Sequence, residues 1–216
     1  MDIGKMIEES FEYAKGGLVG KWMKWILLLI ATLLLTLPLL GYSLRILRGA
    51  TPSPEVDNWG TLFFDGIKYF IVGLIYAIPL IIIAFFTFTP AIKAAITGDT
   101  SHALAVIGTF FFGLIVFVIV AFIIGIFSTA GIIRLARTGS IGESFNFGAI
   151  IGTIGRIGWV DYIITLIIMG VLIGIIQFIC MSIPYLGMFI LFILIPFITI
   201  FQARYICILY DSAGTA

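Results

Sequence analysis

The stretch ALAVIGTFFFGLIVFVIVAFIIGIFSTAGII, residues 103–133, contains 31 consecutive residues without a charged side chain. A helix of this length would extend about 46 Å, whereas the hydrocarbon core of a bilayer is about 30 Å thick. Apolar runs this long are typical of transmembrane helices. The stretch therefore predicts a membrane-spanning helix that tilts, bends near Gly125 or Gly131, or extends beyond the membrane.

The composition of the whole chain agrees with this prediction. Of its 216 residues, 62% are hydrophobic and 11% are charged, whereas about 25% of residues are charged in soluble domains. The 12 basic and 11 acidic residues give a net charge of +1, which is too close to neutral for an electrostatic nucleic-acid binder. We therefore expect a multi-pass protein of the cell membrane that does not bind nucleic acid.

Four further apolar stretches are long enough to cross a bilayer. The fold class expected is all-α, a polytopic membrane helix bundle of about five transmembrane helices, with residues 1–216 as a single integral membrane domain. The predicted spans are residues 22–40, 67–88, 103–133, 160–181 and 185–206. Because the apolar runs are continuous rather than alternating, helices are favoured over a β-barrel. Pro38, Pro79 and Pro196 lie inside these runs and are interpreted as kinks.

Three segments beside the spans mix apolar, aromatic and charged residues, as is typical of helices that lie in the headgroup region. They cover about residues 3–20, 55–66 and 141–156, and we expect them to be amphipathic interfacial helices. Tryptophan and tyrosine side chains are enriched at this level of a membrane. Those near the ends of the spans are interpreted as interfacial anchors, namely Trp22, Trp25, Trp59, Tyr69, Trp159 and Tyr162.

Two similar pairs of arginines follow the first and third apolar stretches. Arg45 with Arg48, and Arg134 with Arg137, are three residues apart, so each pair shares one helix face. Together with Arg156, these side chains are predicted to contact anionic phosphate headgroups. Ordinary anchorage at the membrane interface is the alternative. A further possibility is that nearby acids pair with the arginines and hold the interfacial segments; these acids are Glu55, Asp57, Asp65, Glu143 and Asp161.

Glycines at helical spacing indicate where helices would approach closely. Gly170 and Gly174 form a Gly-x-x-x-Gly pair in the fourth span, for which packing within the chain is favoured over dimerisation. Gly148 and Gly152 would form a similar smooth face in the third interfacial segment. The expected partners are therefore membrane lipids, and either a second copy of the chain or another membrane protein.

Residues suited to catalysis or metal binding are scarce. The chain has one histidine and two cysteines, without the spacing of zinc ligands, so no metal and no cofactor is predicted. Asp99, Ser101 and His102 are neighbours in one connector, and we do not expect them to converge as a catalytic set. The function predicted is that of a non-enzymatic membrane protein that contacts lipid headgroups or acts as a scaffold. An oligomeric channel or facilitator is the alternative.

Several motifs resemble those of the family called domain of unknown function 4013. Its signature is similar to Gly41-Tyr42-x-x-Arg45-x-x-Arg48, Trp59-Gly60-x-Leu62-Phe63-x-Asp65-Gly66-Ile67-Lys68 and Ile75-Tyr76-x-Ile78-Pro79. Its second-half motif is similar to Ala136-Arg137-x-Gly139-Ser140-Ile141-Gly142-x-Ser144-Phe145-x-Phe147. The resemblance implies a multi-spanning membrane protein of a largely archaeal family, and it implies no activity. More faintly, the arrangement resembles membrane domains attached to glycerophosphodiester phosphodiesterases.

Overall fold

The computed structural model describes residues 2–97 and 103–214, and within these ranges the regular structure is helical, without β-strands. The α-helices in chain order are α1 (Ile3–Leu18), α2 (Trp22–Leu33), α3 (Leu37–Leu47), α4 (Trp59–Thr97), α5 (Ala103–Thr138), α6 (Phe147–Ile157), α7 (Trp159–Met181) and α8 (Gly187–Asp211). A short 3-10 helix, Gly142–Phe145, precedes α6. Asp99, Ser101 and His102 lie outside the described residues.

Four helices of the described chain, α4, α5, α7 and α8, are long and apolar enough to cross a membrane. Helices α1 and α2 would provide a fifth span if they are taken together, although the chain bends by 100° between them. The prediction of an all-α polytopic membrane bundle is confirmed. Continuous helices satisfy their own backbone hydrogen bonds, which an apolar environment requires.

The predicted first span, residues 22–40, is not one helix. Helix α2 ends at Leu33 and α3 begins at Leu37. Between them, Leu35 and Thr36 have φ angles of 56° and 64°, the left-handed region that side chains disfavour. Pro38 lies in the first turn of α3, where a missing N–H leaves no hydrogen bond unmade. The proline therefore helps to begin a helix here, rather than kinking one as predicted.

The other predicted spans differ from the observed helices mainly in length. Helix α4 has 39 residues, so it unites most of the segment 55–66 with the span 67–88 and carries Pro79 and Pro90 internally. Helix α5 continues five residues beyond the predicted end at 133, and α8 continues to Asp211. Helices α1 and α6 occupy the segments predicted as interfacial helices.

The chain divides into two compact units, of which one comprises Gly73–Ser128 and the other comprises Met1–Val72 with Thr129–Ala216. In the Gly73–Ser128 unit, the rings of Phe88 and Phe110 are 5.7 Å apart. A Cβ added at Gly113 would overlap the side chain of Thr87, so these two helical segments approach closely. Most large apolar side chains of this unit are exposed, as expected for helices surrounded by lipid or by other helices.

Helix α8 is central to the larger unit, where it contacts α1, α2, α3, α6 and α7. Helix α1 packs against α8 through a face that places Met6, Ser10 and Ala14 at intervals of four residues, which aligns them along one side of a helix. Helix α3 is buried along nearly its whole length. The unit is therefore built around α3 and α8.

Two glycines allow α3 and the beginning of α4 to touch through their backbones. A Cβ added at Gly41 would overlap the carbonyl oxygen of Leu62, and one added at Gly66 would overlap the carbonyl oxygen of Leu37. By contrast, a Cβ at Gly170, Gly174 or Gly152 would meet no atom of a neighbouring element within 4 Å. The packing within the chain that was predicted for Gly170 and Gly174 is therefore not observed.

Candidate functional site

Arg45 extends from α3 to the connection that leads into α4. Its guanidinium donates to Asp57 Oδ1 at 2.6 Å, to the Asp57 carbonyl at 3.0 Å and to Thr61 Oγ1 at 2.8 Å. It also reaches the Glu55 carbonyl at 3.3 Å. The arginine side chain is 16% exposed, whereas that of Asp57 is 63% exposed. The guanidinium therefore binds the buried side of the connection, and the carboxylate of Asp57 lies on its exposed side.

Arg48, the residue that follows the last residue of α3, connects three helices. Its Nη2 donates to Asp65 of α4 at 2.7 Å, and its Nε donates to the Ala136 carbonyl of α5 at 3.2 Å. The arginine side chain is 41% exposed and the aspartate 14% exposed. The ends of α3, α4 and α5 in this unit are thus connected through one guanidinium.

Arg137, near the end of α5, contacts α8. Its Nη2 donates to Asp211 at 2.6 Å and lies 3.3 Å from the sulfur of Cys207. The guanidinium also lies beside Gly49, where an added Cβ would come within 3.3 Å of Nη1. Gly49 has a φ of 93°, a conformation that glycine adopts without strain. Because Gly49 has no side chain, the turn after α3 leaves space for the guanidinium of Arg137.

Arg204 connects α8 with α1. Its guanidinium forms an ion pair with Glu9 and lies 5.0 Å from the ring centre of Tyr13, within the usual range of a cation–π contact. The Tyr13 hydroxyl in turn donates to the Ala50 carbonyl at 2.7 Å. This contact links α1 to the same α3–α4 connection that Arg45 holds.

Arg134 pairs with Glu143 of the 3-10 helix, and its Nε donates to the Glu143 carbonyl at 3.3 Å. We call these five arginines and their partners, Asp57, Asp65, Asp211, Glu9 and Glu143, the arginine cluster. Each arginine of the cluster has one carboxylate partner from another helix or loop. The charges of the five pairs cancel, and the guanidiniums bind parts of the chain itself.

The carboxyl group of Glu143 shows the electrostatic effect of this pairing. The hydrogen bond from Arg134, followed by one from Asn146, lowers the pKa of Glu143 below its ordinary value of 4.5. A carboxylate whose pKa is lower in the folded state stabilises the fold at pH values above its unfolded pKa. That contribution is lost as the pH falls through the lowered value.

We therefore expect the effect of Glu143→Gln on stability to depend on pH. The difference in Tm between the wild type and this variant should be largest at pH 7 and should shrink as the pH falls below 4.5, the ordinary pKa. Thermal unfolding in detergent at a series of pH values measures it. Glu8→Gln, at an exposed position of α1, serves as the control and should leave Tm almost unchanged throughout. A Glu143→Gln difference that stays constant with pH would contradict this account.

A buried lysine supports the same α3–α4 connection. Lys24 of α2 is 4% exposed and donates to the carbonyl and the hydroxyl of Ser53 at 3.1 and 3.2 Å. Its Nζ lies 3.6 Å from Glu55. The hydroxyl of Tyr42 donates to the Pro54 carbonyl at 2.7 Å. Lys24 was not among the predicted site residues, although its place inside an apolar stretch was a signal that could have identified it.

The remaining predicted site residues are distributed over the surface and the interior. Arg156 is exposed and its guanidinium reaches Thr153 Oγ1 at 3.1 Å, so it does not join the arginine cluster. Trp22 is 68% exposed, and Trp25 donates to the Ile193 carbonyl at 2.9 Å. Trp59 and Tyr69 are half-buried, and Trp159 is exposed. Tyr162 is buried, so its ring is not presented at the surface as an interfacial anchor would be.

The predicted glycines lie at the surface, whereas several of the predicted acids form ion pairs. Gly148 and Gly152 are exposed on α6. Asp57, Asp65 and Glu143 pair with arginines, as one of the sequence interpretations proposed, whereas Glu55 approaches Lys24 instead. Within residues 2–97 and 103–214, no group of three or more histidine, cysteine, aspartate or glutamate side chains is arranged to hold a metal ion.

Comparison with known proteins gives one match. The family model described as "Protein of unknown function (DUF4013)" matches residues 25–185, which is most of the chain and includes four arginines of the cluster. No curated protein and no solved structure matches the chain.

Proposed function

The chain belongs to the DUF4013 family of proteins of unknown function, and we propose that within this family it acts as a non-enzymatic scaffold that associates with a second copy of itself in the membrane. The observation that carries the proposal is the open face of α7 at Gly170 and Gly174, and the pairing of the arginine cluster argues against headgroup contact as the alternative. A phosphate headgroup would have to compete with the carboxylate that already pairs with each of these guanidiniums, at the cost of hydrogen bonds that connect parts of the chain. The cluster is therefore better suited to supporting the helices than to binding lipid headgroups.

The surface available for association is apolar. On α7, Gly170 and Gly174 are exposed, and nothing from another element lies within 4 Å of a Cβ added at either position. Ile167 and Val171 on the same helix are 47% and 55% exposed. A Gly-x-x-x-Gly pair allows two helix backbones to approach closely in lipid. In a symmetric dimer the same patch serves both copies, so this face suits self-association.

Replacement of both glycines with leucine tests the proposal. Because these positions are open, we expect Gly170→Leu with Gly174→Leu to leave the fold of the monomer unchanged and to weaken the dimer about tenfold or more. Energy transfer between two fluorescently labelled populations in vesicles, measured over a dilution series, gives the association constant. Gly125→Leu, at another open glycine in α5, is the matched control. Equal association of the wild type and the double variant at every dilution would refute the proposal.

A further inference from the structure

A partly open cavity of about 170 Å³, with a mixed polar and apolar lining, lies between α3, α4, α5 and α8 in the larger unit. Ser43, Tyr69, Thr129, Thr199 and Gln202 contribute its polar lining, and leucine, isoleucine and alanine side chains complete the wall. Two of its lining residues are close in the chain to arginines of the cluster, since Leu47 precedes Arg48 and Gln202 lies two residues before Arg204. None of the lining side chains is charged.

Three of these side chains have hydrogen-bonding capacity that the described part of the chain does not use. Tyr69, Thr199 and Gln202 make no hydrogen bond to any described residue. Several other helical threonines, including Thr32, donate to the carbonyl four residues earlier. All three side chains are half-buried, so a ligand in the cavity can reach their phenol, hydroxyl and amide groups and form hydrogen bonds with them.

The arrangement of donors and acceptors defines the ligand that would fit. The Gln202 amide offers two donors and one acceptor, and the two hydroxyls each offer one donor and can also accept. Ser43 donates to the Leu40 carbonyl at 2.7 Å, so its oxygen is left to act as an acceptor. At about 30 Å³ per water molecule, the volume corresponds to five or six waters or one small organic group. A charged ligand would find no counter-charge among the lining residues.

We propose that this cavity binds a neutral polyhydroxyl group. The hydroxyls of such a group match the mixed donors and acceptors, while its carbon skeleton contacts the apolar part of the wall. The group belongs either to a free polyol or to the glycerol or sugar portion of a neutral lipid. This proposal is independent of self-association, because it concerns α3, α4, α5 and α8 rather than the open face of α7.

The two sources are separated by two probes. Purified full-length chain in detergent is titrated with myo-inositol, with binding followed by saturation-transfer NMR. In a second arm it is incubated with monoglucosyl diacylglycerol, and native mass spectrometry measures retention of this lipid. We expect the wild type to bind at least one probe. Binding of the free polyol assigns the site to a solute, and retention of the glycolipid alone assigns it to a lipid.

A double variant and a control variant test whether the probe binds in the cavity. Thr199→Val with Gln202→Leu removes the hydrogen bonds and nearly preserves shape, so we expect affinity for the bound probe to fall about tenfold. Thr109→Val, at an exposed threonine of α5 that donates to the Ala105 carbonyl, should bind as the wild type does. The double variant should unfold at a temperature no lower than the wild type does, because Thr199 and Gln202 make no hydrogen bond to any described residue. Replacement of a residue with a purely structural role would lower Tm instead.

Two outcomes would overturn the proposal. If the wild type binds neither probe, the cavity holds water only. If the double variant binds as tightly as the wild type, the probe occupies another surface. Loss of dimers in the Gly170 and Gly174 variants would not alter either result, so the two proposals fail separately.

Discussion

Gly41→Ala and Gly66→Ala are each expected to destabilise the fold strongly. The added Cβ would overlap a backbone carbonyl oxygen, of Leu62 in the first case and of Leu37 in the second. A backbone atom cannot rotate away as the end of a side chain can, so α3 and α4 would have to separate. We expect a loss of about 3 kcal/mol or more for each substitution. Equilibrium unfolding in mixed detergent micelles, followed by circular dichroism, measures this loss.

Gly73→Ala provides the matched control for these substitutions. It lies in α4 as Gly66 does, but an added Cβ there meets nothing within 4 Å. Because alanine favours a helix more than glycine does, this variant should be as stable as the wild type or slightly more stable. If Gly41→Ala and Gly66→Ala are as stable as Gly73→Ala, the close contact between the backbones of α3 and α4 does not exist.

Arg45→Gln is expected to give the second largest effect, a destabilisation of about 2 kcal/mol. The exposed ion pair with Asp57 contributes only a small part of this, since water screens it. Most of the loss comes from Thr61 and from the Glu55 and Asp57 carbonyls, which lose a charged donor. Arg156→Gln, which removes an exposed arginine outside the cluster, should change stability by less than about 0.5 kcal/mol.

The same two variants distinguish a supporting role of Arg45 from headgroup binding. Retention on vesicles of graded anionic lipid content should be the same for Arg45→Gln as for the wild type, while the free energy of unfolding decreases. A double-mutant cycle with Asp57→Asn isolates the ion pair from the carbonyl contacts. Unchanged stability together with reduced retention on anionic vesicles would instead assign Arg45 to lipid headgroups.

The helical membrane class and three of the arginine pairs were accessible from the sequence. Long apolar runs specify helices that can cross a membrane, because lipid cannot satisfy an open backbone. Arg48 and Asp65, and likewise Arg134 and Glu143, lie near each other in the chain, so pairing on one side of the membrane was a foreseeable arrangement. Whether the arginines pair with carboxylates or contact lipid headgroups depends on the three-dimensional positions of the side chains, which residue spacing in the sequence does not specify.

The form of the break between α2 and α3 could not be predicted, although Pro38 marks its place. Neither Leu35 nor Thr36 is a glycine, so their own residue types do not indicate the left-handed conformation. The next residue, Leu37, lies with its carbonyl against Gly66 of α4, a contact between elements that the local sequence does not specify. Tertiary packing here outweighs local preference.

Two acids of the arginine cluster were missed for a different reason. The predicted fifth span ended at residue 206, so Asp211 lay beyond it and was not considered as a partner of Arg137. Glu9 pairs with Arg204 only because α1 folds back onto α8, a contact between distant parts of the chain that hydropathy does not report. The polar lining of the cavity was likewise dispersed over four helices.

The contact between α1 and α8 constrains how the protein is made. Glu9 and Arg204 are separated by 195 positions in the chain, and a ribosome synthesises α8 only after α1 to α7. Helix α1 therefore cannot occupy its final place while the intervening helices enter the bilayer. During biogenesis α1 has no contact with α8 until α8 has been synthesised. Packing of α1 against α8 is therefore a late step that follows insertion of the last helix.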